Sequence, residues 1–581
     1  MCSGTRSGRW WYMSTFRWPE LDLSVPWSMF RWPALDLSYL NPGWNVESVV
    51  QWNLSLVDDV LWALITGLES IALVLPTCME FDSATSRPIR SDVVLAPPPF
   101  PIIHHFLPPQ PPPTPPLPHS TVLLPFPINP SFLFIMDNQR SISLLQFMAD
   151  EGLVPSPEEE DKRRNAIQKL KQIVSSWIKK VAWQHQLPKH QIAVTSATIL
   201  TYGSYGLGVH SSESDIDALC VAPFFASISE DFFVVLHDML KRRPEVSDIH
   251  CVKSAKVPLM RFKFDGISID LPYARLNVLY VPENVDILNP FFMRNIDDTS
   301  WKSLSGVRAN KHILHLVPNI EKFQSMLRCL KLWAKRRGVY GTLLGYLGGV
   351  HMTVLAAYVC QRHPDATLNA LIMNFFQTFA LWPWPMPVML QEGMFLTAID
   401  ALETRSFMPI WLPSSPYQFC HTNITKSTFY RIRTEFIRGH TMTRDLLKQD
   451  FDWNNVFEPF PYSKRYSQFI KIYLSSANDY ALGDWVGWVK SRFRSLLVIL
   501  EGIQGFCDPN PTEYVDNEKT EPNVVFYWCL QPCKNNLVDI DLVKAEFMKI
   551  INNGYEGSPG RMELSFLLTS QLPKNALMMG L

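Results

Sequence analysis

Apolar side chains recur at helical spacing between Glu158 and Val181, where acidic residues open the segment and lysines occupy its last turn. This distribution of charge complements the dipole of a helix. The spacing predicts an amphipathic helix that packs on a core by one face. The apolar positions are Ile167, Leu170, Ile173, Val174, Trp177 and Val181.

A second amphipathic segment begins at Phe323 and ends at Gly338, a residue type that commonly follows a helix. Its pattern predicts one buried stripe and a solvated basic surface. The stripe comprises Phe323, Met326, Leu327, Leu330 and Ala334, and the basic surface comprises Lys331, Lys335, Arg336 and Arg337. The glycine-rich sequence YGTLLGYLGGV (340–350) follows and leads into another apolar helix.

Strict alternation predicts a β-hairpin over residues 259–276, LMRFKFDGISIDLPYARL, in which Asp265-Gly266 is a favoured two-residue turn. In its second strand Ile267, Ile269 and Leu271 face one side, and Ser268 and Asp270 face the other. The run AVTSATILTYGS (193–204) also favours a strand and ends in a glycine turn.

The region beyond Tyr462 mixes two β-prone runs with one long amphipathic segment. The runs are 469–476 and 524–530, and the segment DWVGWVKSRFRSLLVILEG (484–502) predicts a single helix. This mixture predicts a compact α+β module at the C-terminal end.

Residues 1–135 differ in composition and sequence pattern from the rest of the chain. FRWPELDLS (Phe16–Ser24) recurs as FRWPALDLS (Phe30–Ser38), a repeat too short to build a solenoid. Pro97–Pro118 holds twelve prolines in 22 residues, which favours extended, unpacked chain. We predict a Pro-rich disordered extension, or sequence outside the reading frame of the mature product, with the functional protein starting near Met136.

Charge and cysteine content narrow the class of protein only slightly. The chain has 53 basic and 54 acidic side chains, but residues 1–135 contain no lysine and carry a net charge of −4, leaving +3 for the remainder. A weakly basic body permits an anionic partner. The ten cysteines lack the paired spacing of a zinc site or disulfide framework, so we expect reduced, packed thiols.

We expect no membrane span, because the apolar run Val60–Leu75 is short and contains Glu69.

The candidate chemistry centres on YGSYGLGVHSSESDIDALCVAP, which begins at Tyr202. Asp215 and Asp217 are two residues apart, so an extended segment points both carboxylates the same way. Asp270 on the predicted hairpin adds a third. Three carboxylates suit a pair of hard divalent cations that also bind phosphate oxygens. Gly203 and Ser204 would allow close approach to phosphates and supply donors.

Each feature also has an ordinary structural explanation. DxD pairs are common on strands, glycine-rich stretches are common loops, and basic residues at a helix end are usually solvated. Cys220 and Cys251 are expected in the core. The order of the features along the chain (helix, strand, Gly-Ser turn, DxD strand, hairpin with a third aspartate, basic helix) makes a nucleotide-binding metal site the stronger interpretation.

These motifs, with ILHLVPNIEKF, CLKLWAKRRGVYGTLLGYLGGV and MPIWLPSSPY, closely resemble the eukaryotic poly(A) polymerases of the plant type, within the polymerase-β-like nucleotidyltransferase superfamily. The resemblance runs from about Ser141 to about Cys529. It implies an α+β multidomain fold: a mixed-sheet nucleotidyltransferase domain, a helical middle domain and a C-terminal RNA-recognition-like domain. We predict the extension at 1–135 and these domains at 136–300, 301–458 and 459–565, followed by a tail at 566–581.

The resemblance also implies an activity, the addition of AMP from ATP to the 3′ end of RNA without a template. Two Mg²⁺ (or Mn²⁺) ions would be the cofactors and ATP the substrate. The implied metal-binding and catalytic residues are Asp215, Asp217 and Asp270. The implied nucleotide-binding residues are Gly203, Ser204, Lys331, Tyr340, Gly349 and Val350.

The chain departs from the family pattern at three places. The family usually has asparagine at Ser305, Ser-Asn at Gly341-Thr342 and arginine at Gly206. A shorter side chain at Ser305 predicts a weaker or water-bridged nucleotide contact. Thr342 offers no amide to adenine, which reduces the certainty of ATP selectivity.

Two other functions remain open at this stage. One is a sibling transferase that adds uridine or completes tRNA ends, and the other is an inactive RNA-binding scaffold. Expected partners are an RNA 3′ end, ATP and cleavage and polyadenylation factors, with no membrane and a monomeric state. The expected compartment is the nucleus, with the cytoplasm as the alternative because no basic C-terminal import tail is present.

Overall fold

The helices and strands come from a computed structural model, which describes residues 130–253, 255–390, 406–413, 420, 423–446, 448, 450–531, 539–557, 560–574 and 576. The helices are α1 Pro130–Asp150, α2 Pro157–Gln184, α3 Lys189–Val194, α4 Gly203–Gly206, α5 His237–Lys241, α6 Asp298–Leu316, α7 Ile320–Arg336, α8 Gly349–Arg362, α9 Leu368–Leu381, α10 Lys426–Arg444, α11 Trp453–Phe457, α12 Tyr462–Arg465, α13 Asp479–Lys490, α14 Phe493–Gln504 and α15 Ile540–Asn552. The strands are β1 Thr198–Tyr202, β2 Ile216–Ala222, β3 Val246–Val252, β4 Leu259–Phe264, β5 Ile267–Arg275, β6 Gln468–Ser475, β7 Cys507–Pro509, β8 Asn523–Leu530 and β9 Arg561–Leu568. A π-helix, Ile228–Leu236, precedes α5, and short 3-10 helices lie at Pro290–Met293, Thr342–Leu344 and Thr569–Gln571.

The predicted N-terminal extension falls almost entirely outside the described residues, as do the repeat and the proline-rich run. The predicted tail at 566–581 is described at 566–574 and 576, and its first residues belong to β9. Helix α1 begins at Pro130 and continues past Met136, where we expected the functional protein to start. Within the described part, none of the helices is long and apolar enough to cross a membrane. The described cysteines are free thiols, with Cys220 buried and Cys251 partly buried.

A five-stranded mixed sheet with the order β1-β2-β5-β4-β3 carries the N-terminal half of the fold. The β2–β5 pair is parallel, and the other pairs are antiparallel. Helix α2 covers one face, and its predicted apolar stripe is buried there. The helix begins at a capping box formed by Ser156 and Glu159, which explains why it starts there.

The predicted hairpin is confirmed as β4 and β5. Asp265 and Gly266 both have positive φ, +49° and +81°, as the favoured two-residue turn requires. Ile267, Ile269 and Leu271 of β5 are buried against α2, whereas Ser268 on the other side is exposed.

Helix α6 packs on the opposite face of the same sheet through Leu304 and Val307, so the hydrophobic core on that face includes this helix. We predicted a domain boundary between residues 300 and 301, which lies inside α6. The predicted domain limits remain predictions.

The predicted stripe of α7 is confirmed, because all five of its residues are fully buried among the helices of the middle region. The prediction of a wholly solvated basic surface is wrong at Arg337, which is 2% exposed. Gly338, with φ +67°, turns the chain after the helix. The Arg337 side chain lies inside the fold, where its Nε donates to Glu435 Oε2 at 2.7 Å. The guanidinium charge is therefore paired with a carboxylate.

The C-terminal module is a four-stranded antiparallel sheet with the order β7-β8-β6-β9. Its chain order β-α-α-β-β-α-β gives the topology of an RNA-recognition fold with its first helix divided. The predicted α+β module is therefore confirmed.

The prediction of a single helix over 484–502 is wrong, because α13 ends at Lys490 and α14 begins at Phe493. Ser491 Oγ donates to Trp488 O at 2.6 Å, and the Arg492 guanidinium lies 3.1 Å from the centroid of the Trp488 ring. Val489 near the end of α13 and Phe493 at the start of α14 are both fully buried.

Candidate active site

The start of α4 and the loop that follows it form part of a cavity of about 360 Å³. Residues of α6, α7 and α8 also line it. The structure therefore brings together Gly203 of the glycine turn and Lys331 of the basic helix, which are 128 residues apart in sequence. Every predicted site residue except Asp270 lines this cavity: Gly203, Ser204, Asp215, Asp217, Lys331, Tyr340, Gly349 and Val350.

Three carboxylates meet beside this cavity. Asp215 immediately precedes β2, and Asp217 lies within it. Asp217 is the Cα partner of Asp270 on the parallel neighbour β5, so their side chains project from the same face of the sheet. Burial, together with the negative charges of Asp215 and Asp270, raises the pKa of Asp217 to about 7. Like charges held close in a partly desolvated site favour the neutral acid.

Arg261 of β4 holds Asp270 in a bidentate ion pair, with Nε and Nη2 each donating to a carboxylate oxygen at 2.6 Å. Sequence reasoning missed Arg261, although the predicted two-residue turn already fixes the register that places it opposite Asp270. Among the described residues, no three His, Cys, Asp or Glu side chains converge as a ready metal-binding group. Both oxygens of Asp270 accept hydrogen bonds from Arg261.

The donor set nevertheless fits hard divalent cations. It consists of three carboxylates, the ligand type that Mg²⁺ and Mn²⁺ prefer. The raised pKa of Asp217 reflects burial first and then repulsion from Asp215 and Asp270. A cation bound among them would relieve that repulsion.

Residue 203 is required to be glycine because the backbone there lies close to the Asp217 side chain. A Cβ at this position would lie 1.8 Å from Asp217 Oδ2, and the backbone φ of +59° also favours glycine. Asn310 of α6 donates from Nδ2 to Gly203 O at 3.0 Å. Asn310 lines the cavity as well, and no local sequence signal marked it.

Lys331 and Tyr340 present polar atoms to the same cavity. Lys331 Nζ donates to Val209 O at 3.2 Å. Burial, with the nearby charges of Lys335 and Arg328, lowers the pKa of Lys331 to about 8, against the opposing effect of Asp215. Burial and then the charge of Asp215 raise the pKa of Tyr340.

Gly349 starts α8 next to Tyr340. A Cβ on Gly349 would lie 3.2 Å from the Tyr340 hydroxyl, so glycine leaves that hydroxyl accessible from the helix N-terminus. Val350 follows and is 42% exposed at the cavity.

A buried guanidinium anchors the loop that carries Asp215. Arg163 of α2 is 4% exposed, and its Nη2 donates to the carbonyl oxygens of Ser211 (3.3 Å), Ser212 (2.7 Å) and Ser214 (2.7 Å). The next residue along the chain is Asp215. Arg163 is therefore placed to position this carboxylate without contacting a substrate, and its role was not visible in the sequence because 48 residues separate it from Ser211.

Replacing Arg163 by methionine is expected to lower kcat by about 10- to 100-fold and to raise the Mg²⁺ concentration for half-maximal rate, because supporting residues of metal sites have effects of this size. Arg163→Lys should recover part of the loss. Arg164→Met is the matched control, since that side chain is 69% exposed and pairs with Asp161 on the surface. Equal losses in both methionine variants, or an unchanged Mg²⁺ dependence, would contradict the positioning role.

The three departures from the family pattern occupy different surroundings. Ser305 Oγ donates to Lys302 O at 2.6 Å, within its own helix. The methyl group of Thr342 would lie 2.5 Å from a Cβ at Gly348. A Cβ at Gly206 would lie 2.8 Å from Thr201 O, so an arginine there requires the backbone of the β1–α4 turn to shift.

A mixed sheet, a Gly-Ser turn and three neighbouring aspartates define a nucleotidyltransferase. Residues 135–317 match the family described as poly(A) polymerase nucleotidyltransferase domain, and residues 322–459 match the poly(A) polymerase central domain. The chain therefore belongs to the poly(A) polymerase family and is an enzyme of that kind.

Two relatives illustrate the extent of this similarity. The chain is 60% identical to nuclear poly(A) polymerase 3 of Arabidopsis thaliana over 443 residues, which cover 76% of this chain and 87% of the relative. It is 36% identical to a poly(A) polymerase of Dictyostelium discoideum over 462 residues, 75% of this chain and 57% of that protein. A solved cytoplasmic RNA terminal U-transferase aligns with a TM-score of 0.39 at 15% identity, covering 56% of this chain and 99% of that one, too weakly to carry an argument.

Proposed function

We propose that this protein is a template-independent polynucleotide adenylyltransferase that adds AMP from ATP to the 3′ end of RNA. The observation that carries the proposal is the shared cavity, in which the Gly203-Ser204 turn and the aspartates meet Lys331 and Tyr340 of the middle region. The 3′-hydroxyl oxygen attacks the α-phosphorus of ATP. A new P–O bond forms, the bond to pyrophosphate breaks, and the hydroxyl proton is lost.

Asp215, Asp217 and Asp270 would hold two divalent cations, Mg²⁺ or Mn²⁺. When bound, such ions lower the pKa of an attacking hydroxyl and neutralise charge on the transferred and leaving phosphates. The contribution of the chain is to keep three carboxylates on adjacent strands. Arg261 orients the one on β5.

The remaining cavity residues bind and orient the nucleotide. Gly203 lets the backbone approach the triphosphate, and Ser204 contributes its N–H and hydroxyl as donors. Lys331 neutralises phosphate charge and Tyr340 donates from its hydroxyl. Gly349 and Val350 line the part of the cavity assigned to adenine.

The value of kcat/KM for ATP is expected to fall as pH rises through about 8, because Lys331, with a pKa of about 8, loses its positive charge there. Arginine stays protonated in this range. Lys331→Arg should therefore retain kcat/KM to higher pH, even if its value at neutral pH is lower. The measurement is a pH profile of kcat/KM at saturating RNA for both proteins, and superimposable profiles would exclude Lys331 as the titrating group.

The growing product has a uniform sequence, so selection falls on the incoming nucleotide and RNA is held by its backbone and by stacking. Partners of the proposed enzyme are the RNA 3′ end, ATP and cleavage and polyadenylation factors, and it acts as a monomer. The relatives named nuclear support the nucleus as the compartment.

One assay tests the proposal. An oligo(A) primer is incubated with the protein, Mg²⁺ or Mn²⁺ and each of the four nucleotides separately, and the products are resolved on a sequencing gel. Extension by ATP in preference to the others is the expected result. Preferred extension by UTP would instead indicate a uridylyltransferase, and primer binding without extension would indicate a scaffold.

A further inference from the structure

One row of residues crosses the whole first sheet at right angles to its strands. The register pairs Tyr202 with Asp217, Asp217 with Asp270, Asp270 with Arg261, and Arg261 with His250. Paired residues on neighbouring strands project from the same face. The face of the sheet that bears the carboxylates therefore leads through Arg261 to His250 on the edge strand β3.

The row spans a distance that suits a nucleic acid strand. Neighbouring strands lie about 4.8 Å apart, so His250, two strands from Asp270, is roughly 10 Å from it. Stacked nucleotides advance about 3.4 Å per residue along one strand. His250 thus lies roughly two or three nucleotides from a terminus at the carboxylates.

A bulge in β3 brings His250 into this row. The register shifts between Ser247 and His250, and Asp248 has a φ of +53°. Bulges re-aim the side chains of a strand. After the bulge His250 pairs with Arg261, whose side chain is 58% exposed.

An aromatic residue of the C-terminal module meets the row at its end. The rings of His250 and Tyr480 have centroids 5.7 Å apart at an interplanar angle of 34°. Both residues are exposed, and Tyr480, in the first turn of α13, remains 67% exposed despite the contact. A ring on β3 of the first sheet and a ring on helix α13 of the C-terminal module thus leave ring surface open to solvent.

The usual base-stacking face of an RNA-recognition fold is closed in this protein. That face lies on the two central strands of the sheet, here β6 and β8. Phe469, Tyr473 and Tyr527 on this face are at most 4% exposed, packed with Phe460 and Tyr462. Bases cannot stack there without opening this core.

We propose that His250 and Tyr480 form a stacking site for single-stranded RNA, which receives a base roughly two or three nucleotides from the 3′ end. This inference rests on the proposed function. Aromatic rings stack on any base. This suits an RNA whose 3′ end has a variable sequence at first and becomes uniform as AMP is added. Arg261, paired with Asp270, lies in the row between the carboxylates and this ring pair.

Removing the rings tests the site. Tyr480→Ala and His250→Ala should each raise KM for an oligo(A) primer and the Kd for the same oligonucleotide by about 5- to 100-fold, since one stacked base contributes about 1–3 kcal/mol. The KM for ATP should stay unchanged. Tyr480→Phe should bind as the parent does. Tyr430→Ala is the control, because Tyr430 is 64% exposed but lies on α10.

Position along the RNA gives a second readout. Oligo(A) primers carrying a single 4-thiouridine near the 3′ end, at the second or third nucleotide, should photocross-link to peptides containing His250 or Tyr480. A primer with the label far from the end should not. Cross-links elsewhere for the near-end labels would overturn the proposal.

The outcomes separate this inference from the proposed function. If the parent protein extends primers with ATP but the alanine variants keep the parental primer KM and Kd, the stacking site is wrong and the function stands. If the variants lower kcat with both KM values unchanged, the ring pair serves only as a contact between the first sheet and the C-terminal module. If the parent does not extend primers, the proposed function itself fails.

Discussion

Asp217→Asn is expected to reduce kcat/KM for primer extension by at least about 10³-fold. Asp217 pairs with Asp270 on the neighbouring strand, and burial together with the charges of Asp215 and Asp270 raises its pKa to about 7. A carboxylate in that position would help to hold the proposed cations. Losing several kcal/mol of transition-state charge stabilisation corresponds to a loss of this size.

The fold should survive this substitution. Asparagine has nearly the same shape, and removing one of three repelling charges relieves the protein when cations are chelated. The melting temperature in EDTA should therefore not fall. Glu213→Gln is the matched control: an exposed acid two residues before Asp215, whose replacement should leave the rate unchanged. Parental activity of Asp217→Asn would refute the assignment of the metal site.

Asp508→Asn is expected to destabilise the protein by about 3–5 kcal/mol, because it breaks a buried ion pair by removing one charge. Asp508 of β7 is fully buried and accepts hydrogen bonds from Arg431 Nε (3.0 Å), the Tyr466 hydroxyl (2.8 Å) and the Tyr346 hydroxyl. The Arg431 guanidinium also pairs with Glu435. With the aspartate neutral, Arg431 keeps an incompletely compensated charge inside the fold.

This network joins the helical middle region to the C-terminal sheet. Arg337, which directly follows α7, donates to Glu435 of α10. Arg431 of α10 donates to Asp508 of β7 and lies 3.6 Å from the centroid of the Phe460 ring. Disrupting it should therefore loosen the contact between the two parts before either part unfolds.

The measurement for Asp508→Asn is thermal unfolding followed by calorimetry, with hydrogen exchange of β7 and α10 as a local readout. Asp161→Asn supplies the comparison, since Asp161 forms an exposed pair with Arg164 and such pairs contribute about 0–1 kcal/mol. Tyr346→Phe, which removes one hydrogen bond to the buried carboxylate, should cost about 1.5–3 kcal/mol. A loss at Asp508 no larger than at Asp161 would show that the network does not hold the two parts together.

Local pattern was enough to predict the elements that carry the site. The helix over α2 follows from apolar spacing and its capping box, and the β4–β5 hairpin follows from alternation around Asp265-Gly266. These features depend on residues within a few positions of one another. The three aspartates and the Gly203-Ser204 turn were identified in the same way, with the family resemblance adding Lys331, Tyr340, Gly349 and Val350.

Contacts between distant segments decided the rest. Arg163 anchors the loop before Asp215, and Asn310 fixes Gly203, across separations that leave no periodic signal. The basic end of α7 has the composition of a solvated surface, yet Arg337 is buried because Glu435 pairs its charge. The apolar pattern over 484–502 continues through the break, so only packing reveals two helices. Sequence determined which groups could do chemistry, and tertiary structure decided which of them meet, because burial and charge pairing depend on what the fold brings alongside.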